Sequence, residues 1–86
     1  MSYVSDNVIP GNHGKVFGTN AESHDDLIKI QNSVLKVDGV ADVIIKEDVF
    51  PREFTVHTSV VVTVKAIEEA VISVGLHAIP KSTFSL

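Results

Sequence analysis

Apolar residues recur along the chain with two different periods, and the changes of period mark the elements. Leu27, Ile30, Val34 and Val37 follow one another at steps of three, four and three, which sets them on one face of a helix. Lys29, Asn32, Ser33 and Lys36 fall on the other side. Asp38-Gly39 stops this helix, since glycine readily takes the left-handed backbone a helix end often needs. Val64, Ile67, Val71 and Val74 repeat the same steps, each 37 residues after its counterpart, and Gly75 closes the second helix as Gly39 closes the first.

Elsewhere the period falls towards two. Val16 and Phe17, between Gly14 and Gly18, predict a first strand over 13–19. In "VADVIIKED" Val43 and Ile45 face one way and Ile44 the other, and Pro51 then breaks the run into a turn. "FTVHT" sets Phe54, Val56 and Thr58 against Thr55 and His57, a half-buried strand. "LHAIP" is a short last strand stopped by Pro80. The run "SVVVTV" is ambiguous: its valines favour strand, but Thr63 is a good N-cap for the helical period that follows, so the helix is started there. The resulting order, strand–helix–strand–strand–helix–strand, consists of two similar halves. It predicts an α+β fold of ferredoxin-like βαββαβ type, a four-stranded antiparallel sheet with both helices on one face and the first strand between the third and fourth. Residues 1–12 read as a flexible N-terminal tail with Val8 and Ile9 as its pins, 13–81 as the domain, and 82–86 as a C-terminal tail.

Composition narrows the classes. A chain of 86 residues, 44% hydrophobic and 21% charged, has room for one globular core. The net charge is −4 and the seven Lys and Arg are scattered, so nucleic acid is not an expected partner. There are no cysteines, which excludes disulfides, thiolate metal sites, iron–sulfur clusters and cysteine nucleophiles. No apolar run approaches the roughly 20 residues of a membrane span, and "MSYVSDNVIPGNHG" lacks the layout of a signal peptide. No membrane partner is expected, and the expected location is the cytoplasm. No nucleophile elbow, phosphate loop or two-histidine helix motif occurs, so the chain does not read as an enzyme.

Over 15–81 the chain resembles a heavy-metal-associated domain, the fold of small copper chaperones and of the N-terminal modules of metal-transporting ATPases. The resemblance rests on the first helix ending in "VDGV", the strand "ADVII", and "TVKAIEEAVISVGLHA", similar to that family's last helix and strand. The family's most specific motif, a methionine, a short spacer and Cys-x-x-Cys at the start of helix one, is missing here. Counted back from "DGV" without gaps, the two cysteine positions fall on Ser23 and Asp26, and the loop before them is about two residues longer than usual. The lead-in "KVFGTN" resembles a cysteine-free subgroup that often carries Thr-Asn there. The resemblance implies a metal-binding or metal-transport-related module whose thiolate site is absent. A copper chaperone working by thiolate exchange is excluded, since soft Cu(I) is held by thiolates.

What stands at that position is "ESHDD", Glu22 to Asp26. Ser23, His24 and Asp26, with Glu22 and Asp25 beside them, are the candidate metal residues, a hard or borderline set that would hold Zn(II), Ni(II), Mn(II) or Cu(II) weakly and no resident cofactor. Helix initiation accounts for most of the same residues. Ser23 as N-cap with Asp26 three positions on is a near relative of the capping box, worth about 1 kcal/mol. Asp25 and Asp26 complement the positive end of the helix dipole. Only His24 is left over. A second candidate set is His13, His57 and His77, which the expected topology brings near one another on the open face of the sheet. That face offers the alternative function, a protein-interaction or regulatory module: Ile44 and Val16 face away from the helices and are available to an unknown protein partner or to self-association.

Overall fold

The computed structural model describes residues 7, 8, 10 and 14–81. The described elements are β1 (Asn7–Val8), β2 (Lys15–Thr19), α1 (His24–Leu35), β3 (Val40–Lys46), β4 (Glu53–Thr58), β5 (Val62–Thr63), α2 (Val64–Ile72) and β6 (Ala78–Pro80). The fold is α+β. Four strands form one antiparallel sheet in the order β3-β4-β2-β6, and β1 pairs with β5 in a separate two-stranded ladder. His13, Ile9 and the tail residues 1–6 and 82–86 lie outside the described residues.

Alternation along the strands divides the sheet into a core face and an open face. Partners in an antiparallel register share a face, and Phe17 is registered with Phe54, which is in turn registered with Ile45. The Phe17 and Phe54 rings stack with centroids 5.2 Å apart, and both are fully buried. Val43 and Val56 join them, and Leu27, Ile30 and Val34 of α1 with Val64, Ile67 and Val71 of α2 complete the core. The first three positions of each apolar stripe are therefore used as their spacing predicts, while Val37 and Val74 lie beyond the helix ends and are partly buried against the core.

The helices end differently. α2 closes with the Leu76 N–H donating to the Val71 carbonyl and the Gly75 N–H to the Ile72 carbonyl, with Gly75 at φ 84. This is the paired bonding of a Schellman cap, with Gly75 in the place that favours glycine. α1 stops at Leu35, before Val37, and its chain unwinds through three-residue turns in which Lys36 N bonds Ser33 O and Val37 N bonds Val34 O. Gly39, at φ 94, therefore turns the chain into β3 rather than ending the helix.

The helices are also fastened by a polar contact. Ser33 of α1 and Ser73, the residue that caps α2, each donate to the Ala70 carbonyl at 2.7 Å. The "SVVVTV" segment takes both of its readings. Val62 and Thr63 pair with Val8 and Asn7, and Thr63 is at the same time the N-cap of α2, its Oγ1 accepting from Ala66 N at 3.1 Å. Val8, the expected pin, is fully buried.

β3 is an edge strand, yet its middle is closed. The Val43 N–H donates to Asp42 Oδ1 at 2.9 Å, and the Val43 carbonyl accepts from Gln31 Nε2 of α1 at 2.8 Å.

Candidate functional site

The start of α1 is built as a cap. Ser23 has extended backbone, φ −91 and ψ 157, and its Oγ accepts from Asp26 N at 3.1 Å. Its carbonyl receives the first helical bond, from Leu27 N at 3.2 Å. Asp25 and Asp26 stand in the first turn, where the free N–H groups of the helix favour negative charge. Ser23 and Asp26, two of the three candidate metal residues, are thus joined to each other by the capping bond.

His24 has a partner that pattern reading did not supply. Its Nδ1 lies 2.6 Å from Glu47 Oε2, just beyond the end of β3. Both side chains are largely in water, 62% and 45% exposed, so the contact has little stabilising weight as an ion pair. Glu47 is 23 residues away in sequence, and no local spacing could have announced it. Chemically the pair offers one imidazole and one carboxylate, two donors of borderline and hard character. Among the described residues no group of three or more His, Cys, Asp or Glu is arranged to hold a metal ion.

The structure separates the sheet histidines. His57 lies at the far end of β2, where a Cβ on Gly14 would come within 3.0 Å of its ring. His77 lies at the opposite end, its backbone N–H donating to Asn20 Oδ1 at 2.8 Å. Gly14 and Asn20 bracket β2, and at about 3.4 Å per residue the two histidines stand roughly 20 Å apart. The three-histidine site expected on the open face is therefore not formed by His57 and His77, because they flank opposite ends of the strand between them. His13 lies outside the described residues.

Thr19 and Asn20, the Thr-Asn pair of the lead-in, hold the chain that leads into β6. Thr19 Oγ1 donates to the His77 carbonyl at 2.7 Å and accepts from Ala21 N at 3.2 Å, while Asn20 takes the His77 N–H. Both backbone polar groups of His77 are thereby satisfied by two neighbouring side chains. Beside this clamp is an open, mainly apolar cleft of about 390 Å³, lined by Gly18, Asn20, Pro51, His77, Ile79 and Lys81. Phe50, 78% exposed, lies next to its rim residue Pro51 in sequence, with the Arg52 guanidinium 5.9 Å from its ring centre. A cleft of this size and lining suits an apolar side chain.

On the open face of the sheet Ile44 and Ile79 are exposed, and the Glu53 carboxylate of β4 bonds the Lys81 ammonium across β2. No helix among the described residues is long and apolar enough to cross a membrane. Comparison with protein-family models, with curated proteins and with solved structures found no match.

Proposed function

We propose that the chain is a non-catalytic, cytoplasmic protein-interaction module. In this reading its four-stranded sheet and two helices are a ferredoxin-like arrangement of heavy-metal-associated type, to which the β1–β5 ladder is added. The observation that carries the reading is the state of the helix start. Ser23 and Asp26, in the positions of the family's thiolates, are engaged in a helix cap, while the open side of the sheet presents Ile44 and Ile79 to solvent. A metal carrier needs labile donors free to exchange; a binding module needs a rigid scaffold with one uncovered face.

The second reading is a metal-binding or metal-transport-related module. The His24–Glu47 pair favours it, because two donors already lie within bonding distance of each other at the family's usual location. An amide NMR titration with Zn(II), Ni(II) and Cu(II) separates the two. The interaction reading expects no saturable shifts at micromolar metal over 23–27 and at Glu47. Stoichiometric shifts there, lost in His24→Ala, would overturn it in favour of the metal reading.

A further inference from the structure

The open face of the sheet has a charge pattern that is the complement of itself. Three rows cross the strands. The first contains Lys46, Glu53, Gly18 and Ile79, registered in that order on β3, β4, β2 and β6. The middle row contains Ile44, Thr55 and Val16. The third contains Asp42 and His57, with Gly14 against the His57 ring. Consider a twofold axis in the plane of the face, perpendicular to the strands and running along the middle row. It lays the first row of one copy on the third row of the other. Lys46 then meets Asp42, Glu53 meets His57, and glycine meets glycine, while Ile44, Thr55 and Val16 meet their own images.

We infer that this open sheet face is a homodimer interface, with a second copy of the chain docked face to face about that axis. The partner is specified by the pairing: an unrelated protein has no reason to present the reversed order of these charges, whereas the same chain must. The interface is isologous and closes at two copies. The apolar middle row supplies the part removed from water, and the two flanking rows set the register. His57 supplies an N–H to the carboxylate in either protonation state. Lys81 lies near the axis, since its N–H bonds the Val16 carbonyl. Its ammonium, however, is drawn aside to Glu53, so the two copies' ammoniums lean to opposite sides. Edge-to-edge pairing through β3 is the competing geometry, and Asp42 and Gln31 obstruct it at Val43.

The face is small. Four strands spaced about 4.8 Å apart make a strip about 19 Å wide, which places the dimer near or below the roughly 1,200 Å² where stable interfaces begin. Micromolar to millimolar dissociation is therefore expected.

The inference deepens the interaction-module reading and rests on it, but its test is independent of metal. Sedimentation equilibrium of the full chain between about 10 µM and 1 mM is expected to show a reversible monomer–dimer equilibrium. Lys46→Glu and Asp42→Lys are each expected to weaken it at least tenfold, about 1.4 kcal/mol, and an equimolar mixture of the two variants is expected to restore association, because each supplies what the other lacks. Asp42→Lys also removes a bond to Val43, so its fold is checked by circular dichroism; Ile44→Glu, at an exposed position on the axis, gives a second disruptive variant. A wild-type chain that stays monomeric to 1 mM overturns the inference and leaves the interaction reading to be decided by the metal titration. A dimer indifferent to Lys46→Glu and Ile44→Glu also overturns it, by placing the contact elsewhere.

Discussion

Gln31 reaches from α1 to the carbonyl of Val43, and this bond connects the helical layer to the outermost strand of the sheet. With Asp42 on the neighbouring N–H, both main-chain groups of one edge residue have side-chain partners. Unpaired edges template association with other strands, and natural sheets blunt them. Gln31→Ala is expected to cost about 1 kcal/mol, the usual net worth of such a bond, and to raise the tendency to aggregate at elevated temperature. Urea denaturation and light scattering measure the two effects; unchanged scattering would show that the edge is guarded without Gln31.

The cap at Ser23 makes a separable prediction. Ser23→Ala removes the acceptor for the Asp26 N–H and is expected to lower stability by about 1 kcal/mol, while Ser23→Asp restores most of it. Thermal or urea unfolding reads both. Equal losses for alanine and aspartate would mean that the hydroxyl acts in some way other than as a cap.

Gly39 and Gly75 both have positive φ, yet they differ in surroundings. A Cβ on Gly39 would lie 2.6 Å from Val60 Cγ2 and 2.8 Å from Val62 Cγ2, whereas one on Gly75 meets nothing within 4 Å. Gly75→Ala is therefore expected to cost about 1–2 kcal/mol for the left-handed backbone alone, and Gly39→Ala clearly more, since the valines must also move. The comparison of the two denaturation midpoints is the test; equal costs would show that Val60 and Val62 yield freely.

Thr58 is the opposite case, a position where the native residue is suboptimal. Its Oγ1 is buried without a hydrogen-bond partner, on a strand whose core face is otherwise apolar. Thr58→Val removes the unsatisfied hydroxyl at nearly constant shape and is expected to stabilise by about 1 kcal/mol. A loss of stability in urea would mean that the hydroxyl finds a partner in solution.

What could be read from the sequence was whatever had a period or a cap. The three-four-three spacing placed Leu27, Ile30 and Val34, and again Val64, Ile67 and Val71, in the core. Ser23 and Thr63 began the helices where their hydroxyls allowed. What could not be read was pairing at long range. Glu47 beside His24, Gln31 at Val43 and Ser33 on Ala70 each join positions 12 to 37 residues apart that no local signal connects. The β1–β5 ladder is two residues long on each side, too short to show alternation. The order that sets β2 between the strand of His57 and the last strand was legible, although His77 stands just ahead of β6 rather than on it; which end of β2 each histidine occupies depends on register, which turn geometry and packing decide.

Val8 has a further consequence for how the molecule can be cut or joined. It lies in sequence ahead of every strand of the main sheet, yet its side chain is fully buried with the residues of α2 and β5. The domain's interior is thus sealed by a residue donated from its leading strand, and that strand also adjoins the segment that caps α2. A chain trimmed to begin at Pro10 would keep all the strands of the main sheet and both helices but lose the seal, leaving a valine-sized void at a cost of about 1.5–3 kcal/mol. A binding partner that pulled Asn7 and Val8 away would open the same void and loosen the start of α2 with it.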